Sequence, residues 1–153
     1  MKAIFKSKKR IKELGEVFTP PLLVQEVCNK VPIETWKNPT NKFIDPACGN
    51  GNFLIEVIKR KIDNGLSPYQ SLMTTYGIDI MPDNVADCRK RMVEVAFEAS
   101  GEDRSAWKYR LYEKAVAQNI RLGDALKFTP EDIFSLKPSK ELKAFRENAI
   151  NNS

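Results

Sequence analysis

Lys42-Phe43-Ile44-Asp45-Pro46-Ala47-Cys48-Gly49-Asn50-Gly51-Asn52-Phe53 decides the fold class. A short apolar run ends in an acid, a glycine-containing turn follows at once, and Phe53, Leu54, Val57, Ile58 and Ile62 then recur at helical spacing. Strand, turn and helix therefore succeed one another without a linker, and Asn64-Gly65 supplies the stop, because glycine accepts the left-handed backbone beyond a helix end.

Outward from this unit the pattern repeats. Downstream, Tyr76-Gly77-Ile78-Asp79-Ile80 is rich in β-formers, and Met81-Pro82 opens a helix whose apolar face includes Val85, Met92, Val95 and Ala96. A further helix is predicted from about Asp103 to Ala117, then a third strand in Asn119-Ile-Arg-Leu-Gly-Asp124, and a last helix near Lys140 to Asn148. Upstream, Leu22, Leu23, Val27 and Val31 mark a helix between Pro21 and Pro32. Strands alternating with helices imply parallel pairing with right-handed crossovers. The expected class is α/β, Rossmann-like, a truncated three-layer α/β/α arrangement with a mainly parallel sheet.

Composition narrows the chemistry. The 153 residues, 42% of them hydrophobic, suit one domain with a real core. There is no histidine, which excludes histidine-based acid, base or triad catalysis, and the three cysteines, Cys28, Cys48 and Cys88, lie far apart in sequence, so neither a metal site nor a disulfide framework is expected. The net charge of +5 is concentrated in the first dozen residues, where Lys6, Lys8, Lys9 and Arg10 are candidates to contact nucleic-acid phosphates. No stretch approaches a membrane span and the start lacks a leader's apolar core, so a cytoplasmic protein is expected. Residues 1–14 are taken as a basic arm, 15–126 as the main unit and 127–153 as a charged helical tail.

The candidate site lies at the strand ends. Gly49 and Gly51 let a ligand approach the backbone closely, and the helix amides beyond them suit an anionic group such as a carboxylate. Leu54 stands where a dinucleotide fingerprint needs its third glycine, and an acid beside phosphate would repel it, so a dinucleotide is disfavoured. Asp45 instead suits a ligand with positive charge, such as the sulfonium-ammonium end of S-adenosylmethionine. Asp79, ending the second strand, suits ribose hydroxyls, and Asp124, ending the third, suits an adenine amino group. A single acid here would more simply cap a helix; three successive strand ends make that less economical.

These segments, with Gly15-Glu-Val-Phe18-Thr19-Pro20 ahead of them, resemble the ordered cofactor motifs of the N6-adenine (amino-class) DNA methyltransferases of restriction-modification systems, over about residues 15 to 126. The resemblance implies S-adenosylmethionine as cofactor and double-stranded DNA with an adenine target as partner, in a bacterial cell or a phage-infected host. It implies that Phe18, Thr19 and Pro20 pack beside the methionine and adenosine. Asp45, with Pro46, Ala47, Gly49, Gly51, Asn52 and Phe53 of the glycine motif, would hold the methionine end, Asp79 the ribose, and Asp124 with Ala125 the adenine, whose face Ile80 would contact.

One family element is missing. The [DNS]-P-P-[YFW] motif that engages the target adenine is not found: the one Pro-Pro pair, Pro20-Pro21, is followed by Leu22. The sequence also ends before the strands that would follow. The catalytic residues are therefore unassigned, and the chain is expected to be inactive alone, with a second polypeptide or a homodimer completing it, or with the tail covering the exposed edge of the first strand. Two alternatives stay open: a non-catalytic S-adenosylmethionine-binding module that sequesters or senses the cofactor, and a basic nucleic-acid-binding protein on a degenerate methyltransferase scaffold.

Overall fold

A computed structural model describes residues 19–103, 107–129, 131–132 and 139–151. In chain order these form α1 (Pro21–Asn29), α2 (Ile33–Lys37), β1 (Phe43–Asp45), α3 (Asn52–Asp63), α4 (Pro68–Met73), β2 (Thr75–Asp79), α5 (Pro82–Ser100), α6 (Trp107–Asn119), β3 (Ile120–Leu122), a 3-10 turn (Ala125–Lys127) and α7 (Lys140–Asn151). The strand-helix alternation is the expected one. Two short helices are additions to it: α2 follows Pro32, and α4 opens with Pro68 behind Ser67, whose side chain accepts the Gln70 N–H.

The three strands form a parallel sheet in the order β1-β2-β3. Asp45 lies opposite Gly77 and Asp79 opposite Leu122, so the carboxyl ends of all three strands open on one rim. Alternate residues of β2 serve different faces. Gly77 faces α3 so closely that a Cβ there would lie 2.7 Å from Leu54 Cδ1 and 3.0 Å from Cys48. Leu54, Ile58, Leu72, Met92, Phe97, Val116 and Ile120 belong to the large cluster on this side, to which α3–α7 all contribute. On the other face Tyr76 and Ile78 pack with Ile44, Phe128 and Ala125 of the 3-10 turn, and among the described residues no α-helix joins that cluster. The sheet is thus α/β with described helices gathered on one face. A smaller cluster of Val24, Cys28, Trp36 and Val57 docks α1 and α2 on α3, and Trp36 is buried there as packing.

The opposite end of β2 is held by an unusual buried cation. Lys61, 2% exposed, donates to Thr74 C=O (2.9 Å), Thr74 Oγ1 (2.9 Å) and Thr75 Oγ1 (3.1 Å), and burial lowers its pKa from 10.5 to about 7.

Of the described tail residues, Phe128 joins Ile44 of β1 in the Tyr76 and Ile78 cluster, and the final helix lies on the helical side of the sheet. Helix α7 packs against α6: Leu142 is buried in the large cluster, Ser139 N–H donates to Gln118 Oε1, Lys114 lies over the Phe145 ring and Arg146 over Tyr69. The apolar pair Leu142 and Phe145, three residues apart, gives α7 one narrow stripe that matches the helical side of the molecule. No described helix is long and apolar enough to cross a membrane.

Candidate functional site

At the rim the backbone turns sharply out of β1. Asp45 Oδ1 accepts from Ala47 N–H (3.0 Å), Cys48 N–H extends the ladder to Ile78 C=O (2.9 Å), and Gly51 N–H closes the turn on Cys48 C=O (2.9 Å). Gly51 has φ +96°, and a Cβ there would lie 2.8 Å from Cys88 Sγ, so both backbone conformation and space demand glycine. Ile55 N–H makes the first helical bond of α3, to Gly51 C=O. The amides of Asn52, Phe53 and Leu54 precede it and form the anion-favouring first turn.

Asp79 is the hub. Its Oδ2 accepts from Gly49 N–H (2.9 Å), and its Oδ1 from Met81 N–H (2.9 Å) and Asn84 Nδ2 (3.1 Å). One side chain therefore ties the glycine turn to the start of α5. An ionised carboxylate offers about four acceptor positions, which leaves room for a further donor. Asp45 stands close enough to feel it: burial first, and then the Asp79 charge, raise the Asp45 pKa above the ordinary carboxylate value, against the lowering effect of the Ala47 bond. Two acids that repel each other across a half-buried rim fit a cationic ligand.

Asp124 follows two residues beyond β3. Gly123 N–H carries the ladder on to Asp79 C=O (2.9 Å), and Asp124 Oδ1 caps the 3-10 turn by accepting Leu126 N–H (3.0 Å). The capping role that a lone acid would have is thus realised at Asp124 through one carboxylate oxygen. Around these acids apolar side chains are exposed: Ile80 is 57%, Leu122 52% and Leu126 94% accessible. Leu122 and Leu126 were not singled out in the sequence, since their rim positions follow from where β3 stops.

The other candidates are placed as follows. Thr19 sits against the turn, its C=O accepting from Asn52 Nδ2 (3.1 Å); Pro20 is exposed and caps α1; Pro46 and Ala47 are exposed on the turn. Phe53 points away from the rim and packs against the Val24, Cys28 and Trp36 cluster. Ala125 packs on Tyr76 and Ile78. Gly49 and Gly51 shape the turn while their own amides are engaged within the chain. Phe18 and the basic residues Lys6, Lys8, Lys9 and Arg10 lie outside the described residues.

The separation of the cysteines in sequence does not hold in space. Cys48 and Cys88 meet beneath the glycine turn, and their contact together with burial pushes the Cys48 thiol far above its ordinary value, so it is a packing group and no nucleophile. Two arginines also escaped the sequence reading. Arg89 donates from Nε and Nη2 to Ile120 C=O (2.9 and 2.6 Å) and from Nη2 to Ala117 C=O (3.2 Å), seating β3 on α5; Arg91 reaches the glycine turn. Half-buried arginines of this kind carry no motif, because most of their partners are main-chain oxygens. Among the described residues no group of three or more metal-ligating side chains occurs.

The sequence model of N-6 DNA methylases matches residues 5–96, more than half of the chain. The chain belongs to the N-6 DNA methylase family. The match spans Thr19, the glycine turn and Asp79, and stops before Asp124. Membership of the N-6 DNA methylases places the protein among DNA methyltransferase-like proteins. No curated protein and no solved structure matches the chain.

Proposed function

We propose that this chain is the S-adenosylmethionine-binding portion of a site-specific adenine-N6 DNA methyltransferase of restriction-modification type. On this reading residues 15–126 are the cofactor-binding unit on a Rossmann-like sheet, 1–14 a DNA-contacting arm, and 127–153 a helical tail of the same domain. The observation that carries it is the convergence of Asp45, the glycine turn, Asp79 and Asp124 on one parallel rim.

The residues present suit the group. S-adenosylmethionine supplies a methyl on a sulfonium, an electrophile that needs no metal or histidine. Asp45, kept half-buried beside Asp79, attracts the positive sulfonium-ammonium end, and a bound cation relieves the repulsion between the two acids. The amides of Asn52–Leu54 receive the carboxylate. Asp79, which accepts from Gly49, Met81 and Asn84, has acceptor capacity left for a ribose hydroxyl. Asp124 accepts from the adenine amino group through its uncapped oxygen, and Ile80, Leu122 and Leu126 offer the ring apolar surface.

A group that extrudes and holds the target base is absent from the motifs, so methyl transfer awaits a partner that adds a strand beside β1. Incubation with adenine-containing duplex DNA and labelled S-adenosylmethionine tests this. The chain alone is expected to bind the donor without transfer, and N6-methyladenine is expected once a polypeptide carrying an acceptor-Pro-Pro-aromatic segment is added. Transfer by the chain alone, or donor binding with no transfer under any pairing, contradicts the reading; the latter favours a sequestering or sensing module.

A further inference from the structure

We propose that Arg91 is a positioning residue for the methyl donor: through Asn52 it holds the Thr19 segment against the glycine turn in the one arrangement that leaves the donor's seat open. The inference rests on the donor reading above. Arg91 lies in α5, the helix that starts at the Asp79 end of β2, and its Nη1 donates to both Asn50 C=O and Asn52 Oδ1, each at 2.9 Å. Asn52 in turn donates from Nδ2 to Thr19 C=O at 3.1 Å.

The chemistry of the groups fixes the direction of this relay. A guanidinium has donors only, so Asn52 must turn its oxygen to Arg91, which leaves its NH2 for the Thr19 carbonyl. Without Arg91 the amide keeps only the Thr19 carbonyl to orient it, and the segment is held less firmly. The second bond from Nη1 matters equally. The peptide between Asn50 and Gly51 is pinned at both ends, its C=O by Arg91 and its N–H by Cys48 C=O, so the first-turn amides of α3 are aimed before any ligand arrives. Asp79 does the same for the other limb of the turn through Gly49 N–H. The turn is clamped from α5 on one side and from β2 on the other.

Electrostatics alone predicts the opposite sign. Removing a positive charge near the site should tighten a cationic donor, the more so because Arg91, Lys59 and Lys90 together offset Asp87, Glu94 and Glu98 in the groove they share. A weaker donor on loss of Arg91 is therefore the signature of positioning.

The test is titration calorimetry of S-adenosylmethionine into the full chain and into Arg91→Met, Asn52→Ala, the double variant and Arg91→Lys. Asn52→Ala is expected to lose about tenfold in affinity, the loss of one charge-assisted hydrogen bond, and Arg91→Met, which also frees the Asn50 carbonyl, at least as much. The double variant should bind no more weakly than Arg91→Met, because the two residues act in series. Arg91→Lys keeps the charge with a single-point donor, secures the fold, and should restore only part of the affinity. In the ligand-free protein, hydrogen exchange at the Val24 amide, which donates to Pro20 C=O, should quicken in both single variants. Unchanged or tighter binding by Arg91→Met, or a double variant whose loss is the product of the single losses, overturns the proposal and leaves the donor reading intact. No heat from the unsubstituted chain overturns the donor reading and the proposal with it.

Discussion

Lys61→Met should abolish a pH dependence that the unsubstituted chain shows between pH 6 and 8. The lysine is 2% exposed, has only neutral oxygens at its ammonium, and titrates near 7 in the folded chain against 10.5 for an ordinary lysine. The folded-state value is the lower one, so between these values the unfolded chain holds the proton more often, and stability rises with pH. The full interval corresponds to a ceiling of roughly 5 kcal/mol, and the part between pH 6 and 8 to about 1.3 kcal/mol. The raised thiols of Cys28 and Cys48 act with the opposite sign, but only as pH approaches 9, where unfolded thiols lose their protons and the folded ones do not. Urea unfolding followed by circular dichroism at pH 6, 7 and 8 measures the effect. The unsubstituted chain should gain stability across the series and Lys61→Met should be flat, and more stable than its parent at pH 6. Equal slopes in the two proteins, or a parent that loses stability as pH rises, would refute the reasoning.

Gly51→Ala should cost roughly 2–4 kcal/mol, the sum of a left-handed backbone for alanine and a Cβ pressed on Cys88 Sγ at 2.8 Å. Adding Cys88→Ala should recover the contact part and not the backbone part, read from urea midpoints. Asp45→Asn should melt at or above its parent at neutral pH while binding the donor worse. The Asp45 pKa is raised, so the folded chain holds that proton more tightly than the unfolded one and loses stability as pH climbs above 3.8; the advantage of the asparagine should grow from pH 4 toward neutrality in parallel thermal melts.

Much of this architecture was legible in the chain because it is written locally. The run Phe43-Ile-Asp45, the glycines, and the stripe from Phe53 to Ile62 specify strand, turn and helix from neighbours alone, and all three strands and the long helices stand where that pattern puts them. Parallel order brought three acids to one rim, as the alternation of elements requires. What stayed hidden depends on residues distant in sequence. Cys48 meets Cys88, Arg91 reaches Asn50 and Asn52, and Phe53 turns into the α1–α2 cluster, none of which a period or a motif encodes. Helices α2 and α4 were missed because five and six residues are too few to show a periodicity, although Pro32 and Ser67-Pro68 mark their starts. The tail was one of three expected covers for the β1 edge, beside a second copy and a second polypeptide; the α7 stripe of Leu142 and Phe145, too short to name its partner from sequence, packs on α6.

The measurement that bears most directly on the account is calorimetric titration of S-adenosylmethionine and of its thioether product, S-adenosylhomocysteine, which lacks the sulfonium charge, into the chain and into Asp45→Asn. One site is expected, with the sulfonium preferred by the parent and that preference reduced about tenfold in Asp45→Asn, equivalent to about 1.4 kcal/mol. Absence of heat and of thermal stabilisation with either ligand, or an identical preference in both proteins, would contradict the claim that the acids of this rim hold a cationic nucleoside.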